Sequence, residues 1–304
     1  MKLHQIKAFL AVSNAGSLKT AAEQLHLTQP ALSKAIKELE QQYGVALFER
    51  TSGGLTLTPY GERLLGYARM MNETARRAKQ DIDTMRGVSN CSITIGVTPV
   101  ASLIKSLTTS LNAFMQRYPE VTLRIIELRP APLLNQLRQG GVDFAITSQI
   151  PVIDSALEWQ AICRIPNVVV TRKSHPLCNT RSLRTLHQSE WLTLDAPDDP
   201  NTYHHQLFSV NGLPIPSRIR ECTSMTLARA LIQTADFAAL FSVESLDLDY
   251  IKNEFAVVPL LDNIPDSVIS MVRPKREIMT QSAMTLFDTI LQDMRDIYPD
   301  FNHS

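Results

Sequence analysis

Two short amphipathic runs separated by a three-residue turn constrain this chain more than any other feature. Leu3, Ile6 and Leu10 fall at helical spacing and Phe9 widens their stripe, so the spacing predicts a first helix from Leu3 to about Asn14. Gly16 ends it, and Ser17 is a good cap for a second helix, about Leu18 to Leu25, with Leu18, Ala21, Ala22 and Leu25 inward. His26, Leu27 and Thr28 make a tight turn. A third helix follows, capped by Thr28 or Gln29 and with Pro30 in its first turn, where a missing N–H costs little. Its inward stripe is Leu32, Ile36, Leu39 and Tyr43, and Gly44 stops it.

The outward face of the third helix is polar with a basic rim: Gln29, Ser33 and Lys37, with Pro30 and Lys34 beside them. This is the pattern of a helix-turn-helix. A glutamine amide presents donor and acceptor to a base edge, serine is small and adaptable, and lysines reach phosphates or guanine acceptors. Val45 to Arg50 and Leu55 to Thr58 then read as two short extended runs around Ser52-Gly53-Gly54, a hairpin. Beside a helix-turn-helix it is a wing, with Arg50 as its contact to a groove or phosphate.

Thr58 and Pro59 open a long helix. Leu64, Ala68, Met71, Ala75, Ala78, Ile82 and Met85 alternate by four and three, a heptad seam, and Gly87 ends the run. Such a stripe packs either on its own domain or on a second copy. A helix linking two domains has little local core, which favours dimerisation.

Beyond it, strands at Ser92–Val97, Val121–Leu128 and Val142–Thr147 alternate with helices at Ser102–Tyr118 and Pro132–Gln139. Further strands near Val168–Thr171, Trp191–Leu194, Ala238–Phe241 and Val268–Val272 continue the alternation, with helices near Tyr203–Asn211, Met225–Gln233 and Met279–Ile297. That pattern argues a parallel, doubly wound sheet. Ligands bind such sheets at the carboxyl ends of strands, near helix starts. The candidates there are Thr98, Ser102, Arg129, Thr147, Ser148 and, from a second subdomain, Thr223 with Ser224. Each hydroxyl serves equally as a helix cap, and Arg129 also fits a solvated surface position. Adjacent on a helix, His204 and His205 point apart and read as surface histidines.

Composition limits the alternatives. The chain has 304 residues, 44% hydrophobic and 20% charged, enough for several cores. Net charge is zero, but residues 1–88 hold twelve Lys and Arg against eight Asp and Glu, a basic front suited to a polyanion. The four cysteines, Cys91, Cys163, Cys178 and Cys222, form no C-x-x-C pair and no zinc spacing, and scattered thiols suit a reducing compartment. Cys163, Cys178 and Cys222 lack the charged neighbours of reactive thiols and read as small hydrophobes. Gln5 and Lys7 interrupt the only leader-like run, and no stretch approaches the roughly 18 apolar residues that span a bilayer. The expectation is a cytoplasmic protein without metal, cofactor or membrane contact. No P-loop, G-x-S-x-G or G-x-G-x-x-G motif supports an α/β enzyme.

Gly16-Ser17, Ala21-Ala22, Leu25, Thr28 to Ser33, Ile36, Leu39-Glu40, Gly44, Leu47 to Arg50, Leu57-Thr58 and Gly61 together resemble the DNA-binding signature of LysR-type transcriptional regulators. The resemblance implies a dimer or tetramer that binds double-stranded DNA, answers to a small co-inducer, and has RNA polymerase as a further partner. It implies DNA contacts at Gln29, Pro30, Ser33, Lys34 and Arg50, to which residue chemistry adds Lys37. It also implies an effector domain of two α/β lobes like periplasmic binding proteins, with Thr98 and Ser102 in the first effector loop. The expected fold is therefore mixed: an all-α winged helix-turn-helix at 1–59, a linker and dimerisation helix at 60–88, and a two-lobed α/β domain at 89–304. Lobe I is expected at about 89–163 and 268–304, and lobe II at about 164–267. The effector is expected to be small and anionic. A DNA-binding architectural protein without ligand control is the alternative, and it requires a cleft filled with side chains.

Overall fold

The computed structural model describes residues 1–51, 53–86, 91–148, 150–151, 156–248, 251, 253–274 and 279–298. Ser52 in the wing turn, the helix stop at Gly87, the boundary expected at 88/89 and the chain end from 299 lie outside the described residues. The chain opens with α1 (Leu3–Ala15), α2 (Leu18–Gln24) and α3 (Gln29–Tyr43). Gly16 and Gly44 take left-handed backbone at φ +63° and +70°, which stops α1 and α3 at low steric cost. Ile6, Phe9, Val12, Ala21, Leu32, Ile36 and Leu39 meet in one core. Tyr43, expected in the inward stripe, is exposed instead, because the last turn of α3 outruns that core.

The antiparallel hairpin β1 (Phe48–Thr51) and β2 (Gly54–Leu57) follows. Phe48 lies 5.3 Å from the Phe9 ring, and the Glu40 carboxylate accepts the N–H groups of Leu47 and Phe48 at 2.8 and 3.3 Å. The hairpin is thereby fixed to α1 and α3. Thr58 then caps α4 (Pro59–Met85), its hydroxyl accepting the Gly61 N–H at 3.2 Å. A Cβ at Gly61 would sit 2.2 Å from the Leu47 carbonyl oxygen, so only glycine lets α4 start this close to the wing.

After α4 come β3 (Ser92–Val97), α5 (Pro99–Ser102), α6 (Lys105–Arg117), β4 (Thr122–Glu127), α7 (Pro130–Arg138), β5 (Phe144–Thr147) and β6 (Leu157–Ile165). Next are β7 (Asn167–Arg172), α8 (Leu183–Leu186), β8 (Glu190–Thr193), α9 (Tyr203–Ser209), β9 (Ile219–Glu221), α10 (Met225–Thr234), β10 (Phe237–Ser242), α11 (Val243–Leu246) and β11 (Phe255–Val257). The described chain closes with β12 (Ser267–Pro274) and α12 (Gln281–Ile297).

Two five-stranded sheets result, ordered β4-β3-β5-β12-β6 and β11-β7-β10-β8-β9. Neither is purely parallel as the alternation suggested. In lobe I, β12 runs antiparallel to β5 and β6, and in lobe II, β7 runs antiparallel to β10 and β11. The cause is connectivity: the chain crosses between lobes twice, at Pro166 and again before Ser267, and each crossing brings in a reversed strand. Asn167 and Ser267 pin the crossings together, with the Asn167 amide donating to the Pro265 carbonyl at 2.8 Å and the Ser267 hydroxyl at 2.9 Å.

The single helix expected at Ser102–Tyr118 is two, because Pro99 starts a short turn of its own and α6 begins afresh at Lys105. His204 is also not a surface histidine. It is 5% exposed, edge-on to Trp191 and Phe208 in the lobe II core, while His205 lies half-buried on the other side.

Candidate DNA interface and effector cleft

The third helix presents Gln29, Pro30, Lys34 and Lys37 to solvent, with Ser33 half-buried between them. Thr28 caps its start, accepting the Ala31 N–H at 3.4 Å, and Leu32, Ile36 and Leu39 hold the opposite side in the core. Gln29, Ser33 and Lys37 are four residues apart and share one face. The wing is seated by the Leu55 N–H donating to the Gly16 carbonyl at 2.9 Å. A Cβ at Gly54 would lie 2.7 Å from that same oxygen, so the close approach requires glycine. This docking brings Arg50 beside the start of α3. Gln29, Arg50, Lys19 and Ser17 line one open cavity of about 280 Å³. Lys19 escaped the sequence reading. It stands on the exposed side of a seven-residue helix too short for periodicity to give its direction.

The seam residues of α4 divide. Ala68 is buried in the winged-helix core and Leu64 packs against it, so these two are engaged within the chain. Met71, Ala78, Ile82 and Met85 are exposed, and Ala75 is half-buried. The opposite face of the same helix is polar and docks on lobe I. Arg77, 5% exposed, reaches Asp143 at 3.1 Å, and Gln80 donates to the Ser92 carbonyl at 3.0 Å.

Between the lobes lies a cavity of about 90 Å³, room for several water molecules. Lobe I contributes Arg129 and the first turn of α7, together with Ser148. Lobe II contributes the connection from β8 to α9, notably Asp195, Asp199, Asn201 and Thr202, and Tyr203 at the start of α9. Arg129 spans the cleft, donating to Glu221 at 2.6 Å and to the Leu194 carbonyl at 3.4 Å. It is an inter-lobe bridge, not a free surface side chain. Burial pushes the Asp195 carboxyl above its ordinary range, with Arg129 pulling it partly back. The Tyr203 hydroxyl accepts the Val268 N–H of β12 at 2.7 Å, a second tie across the lobes.

The other sequence candidates are distributed unevenly. Thr98 is fully buried beneath the cleft, its hydroxyl accepting the Ser148 N–H at 3.0 Å and lying 3.2 Å from the Ser148 hydroxyl. Thr147 is fully buried in β5, opposite Ser270. Ser102 is not in the cleft lining. Its hydroxyl donates to the Pro99 carbonyl at 2.7 Å, and the residue borders a separate groove with Leu107, Met115 and Ile125. Thr223 is exposed and Ser224 caps α10, its hydroxyl accepting the Leu227 N–H at 3.4 Å, so neither lines the cavity. The Cys163 thiol is buried and pushed up to about 12 by desolvation, which leaves it protonated and inert. Cys178 and Cys222 are half-buried. Among the described residues no group of three or more His, Cys, Asp or Glu could hold a metal ion, and no helix is long and apolar enough to cross a membrane.

A winged helix-turn-helix carried on a long helix beside a two-lobed cleft defines a one-component regulator. Residues 3–62 match the bacterial regulatory helix-turn-helix protein of the lysR family, and residues 87–295 match the LysR substrate binding domain. The chain belongs to the LysR family of transcriptional regulators, DNA-binding proteins and not enzymes. It is 30% identical to the HTH-type transcriptional regulator CfxR of Cupriavidus necator, over 85% of this chain and 81% of that one. It is likewise 30% identical to the RuBisCO operon transcriptional regulator of Allochromatium vinosum, over 81% and 80%. The fold resembles that of CbnR at a TM-score of 0.68 and 21% identity, covering 97% of this chain and 99% of that one. A full-length OxyR from Pseudomonas aeruginosa gives 0.67 at 19% identity, covering 97% and 95%.

Proposed function

We propose that this protein is a cytoplasmic, ligand-responsive regulator that binds duplex DNA as a dimer or tetramer. The winged helix-turn-helix occupies residues 1–59, the linker and dimerisation helix 60–88 and the effector domain 89–304. Gln29 and Ser33 read base edges in the major groove. Lys34, Lys37 and Arg50 hold phosphates, with Pro30 fixing the entry of α3. CbnR has been crystallised with its target DNA, which supports the same use of this domain here. The exposed Met71, Ala78, Ile82 and Met85 stripe is the seam between two chains, and RNA polymerase is a further partner at the promoter.

The effector is a small molecule bound between the lobes and bearing an anionic group. The observation that carries this reading is Arg129, which crosses the cleft to Glu221 beside an open cavity. Glu221 already pairs with that guanidinium, and Asp195 and Asp199 line the same cavity, so a free anion must displace a built-in carboxylate instead of filling a vacant positive site. The effector's anionic group takes the place of Glu221 on Arg129, and the lobes then rearrange. The open cavity supports ligand control over a purely architectural role.

A thermal-shift screen of small carboxylates and phosphates against their neutral amides and esters tests the assignment, because a ligand specific to the folded state raises stability by linkage. Acids should raise the melting temperature and their neutral counterparts should not, and Arg129→Met should erase the difference. Hits confined to amines or neutral compounds would sink the anionic assignment.

A further inference from the structure

The cavity between the lobes is unbalanced in charge. Among the described residues Arg129 is the cation that lines it, while Asp195 and Asp199 line it from lobe II and Glu221 already holds the guanidinium. Asp195 stands just past the carboxyl end of β8, where its own N–H donates to the Thr193 hydroxyl at 3.2 Å. No N–H or O–H of the described residues donates to its carboxylate. Burial pushes that carboxyl up, Arg129 pulls it partly back, and Asp199 and Glu221 push it further. The Asp199 Oδ1 accepts the backbone and side-chain N–H groups of Asn201 at 2.8 and 3.1 Å, and its Oδ2 has no such partner among the described residues.

The cavity is unbalanced in hydrogen bonding as well. Its hydroxyls are already engaged. That of Tyr203 is held by Val268, that of Thr202 accepts the His205 N–H at 3.2 Å and donates to the Asp199 carbonyl at 3.0 Å, and that of Ser148 lies 3.2 Å from Thr98 Oγ1. Pro130 and Pro132 carry no N–H and Leu133 donates to the Arg129 carbonyl at 3.0 Å, which leaves Ala131 as the donor in the opening turn of α7. What lobe II has to spare is carboxylate oxygen, which only accepts. An anion entering alone would take Arg129 from Glu221 and bring one more negative charge beside Asp195 and Asp199, where like charges and burial both disfavour it.

We infer that the effector is a small amino acid, its carboxylate on Arg129 and its ammonium against the carboxylate of Asp195 and the Oδ2 of Asp199. A protonated amine brings three N–H donors and one positive charge, so the two ends of the ligand match the two lobes and add no net charge to the cleft. A hydroxyl in the place of the amine supplies one donor and no charge. The cavity of about 90 Å³ holds several waters, which sets the size of the ligand. Arg129 belongs to lobe I and Asp195 to lobe II, so a ligand that engages both favours one arrangement of the lobes over others. The assignment of the ammonium rests on the anionic site proposed above and adds to it a second, oppositely charged group.

The test is calorimetric titration and thermal shift of the full chain with matched sets of small molecules. Each set holds an α-, β- or γ-amino acid, the hydroxy acid with OH in place of the amine, and the amine without the carboxylate. One amino acid should bind about tenfold to a hundredfold more tightly than its hydroxy acid, the range expected for hydrogen bonds to a charged group. Asp195→Asn should bring that amino acid close to its hydroxy acid, and Arg129→Met should weaken both. A hydroxy acid that binds as tightly as its amino acid and still depends on Arg129 overturns the ammonium and leaves the anionic site standing. So does an Asp195→Asn variant that keeps the full preference. An amine that binds as tightly as the amino acid, with no effect of Arg129→Met, overturns the anionic site itself and the amino acid with it. No response to any amino acid of the sets overturns the inference too. The matched pair is read on the unmodified protein, so the outcome is decided even where Asp195→Asn does not fold.

Discussion

His204 shows how one residue can be misread when its helix is short. Both ring nitrogens are buried among the aromatic rings of lobe II without hydrogen-bond partners among the described residues, and desolvation lowers its pKa to about 4. In the unfolded chain the ring titrates near 6.5, so folding requires a neutral imidazole. The stability it contributes is intact above pH 6.5 and is lost as the pH falls towards 4. By pH 5 the loss is about 2 kcal/mol. His204→Leu should remove most of that difference between pH 7 and pH 5 in urea unfolding. An identical pH dependence in variant and parent would show that the imidazole does not stay neutral. His175, also lowered by burial, is present in both and cancels. On the DNA face, Gln29→Ala should relax discrimination among sites, while Lys34→Ala and Arg50→Ala should weaken binding to all sequences. Each of the latter should reduce the slope of log K against log salt by about 0.9 for every phosphate that is no longer neutralised. Equal affinity, specificity and salt slope in all three would place the interface elsewhere. These DNA-face residues were legible because a solvent-facing polar stripe on a capped helix is a local pattern. Asp195, Asp199 and Tyr203 were not. Asp195 and Asp199 lie in the irregular stretch between β8 and α9 and Tyr203 in the first turn of that short helix, where no period indicates direction, although the rule that ligands sit at strand ends applies to β8 as well as to β3.

At the scale of elements, α4 carries two messages and the sequence displays one. Its heptad stripe is visible because apolar side chains at seam spacing on a long helix need a surface to bury them. Its opposite face, Arg69, Glu73, Arg77 and Gln80, has the composition of an ordinary solvated surface, and only the fold of lobe I shows that Arg77 and Gln80 are buried. Substituting Met71 and Ala78 together by Glu places charge on the exposed stripe and leaves the lobe I face untouched. Sedimentation should then show a smaller assembly, and the parent assembly would place the seam elsewhere. The ion pair behaves differently. Burial raises the Asp143 carboxyl even with Arg77 beside it, so desolvation outweighs attraction and the pair is a poor source of stability. Arg77→Met alone strands a buried carboxylate and should cost about 3–5 kcal/mol, whereas Arg77→Met with Asp143→Leu should be nearly neutral. Urea midpoints of the two single variants and the double decide this. A double variant as unstable as Arg77→Met would mean the missing hydrogen bonds, not the stranded charge, carry the cost.

For the whole molecule, the α/β character followed from alternating strands and helices and the two lobes from the family resemblance, but sheet order followed from neither. The reversal of β7 and β12 depends on where the chain crosses between lobes, and nothing near Pro166 or Ser267 announces a crossing. Among the described residues, those crossings leave lobe II joined to lobe I by two strands, the Tyr203 hydroxyl, the Arg129 bond to the Leu194 carbonyl and the Arg129–Glu221 pair. That pair is about one-third exposed on both sides, so its contribution is about 0.2–1 kcal/mol. A contribution of that size biases the ratio of closed to open lobes by at most about fivefold, within reach of a ligand with modest preference for one state. Glu221→Gln should therefore increase the open fraction without unfolding either lobe. Arg129→Met should do the same, and the double variant should add little, because both single changes remove one interaction. The readout is the lobe I–lobe II distance distribution between spin labels at Gln116→Cys and Arg184→Cys, with Cys178 and Cys222 replaced by Ser and labelled chains diluted with excess unlabelled chain. Additive shifts in the double variant would mean that Arg129 acts through Asp195 or the Leu194 carbonyl instead. No shift in any of the three would assign the lobe arrangement to the Asn167–Ser267 crossing and the Tyr203 bond to Val268.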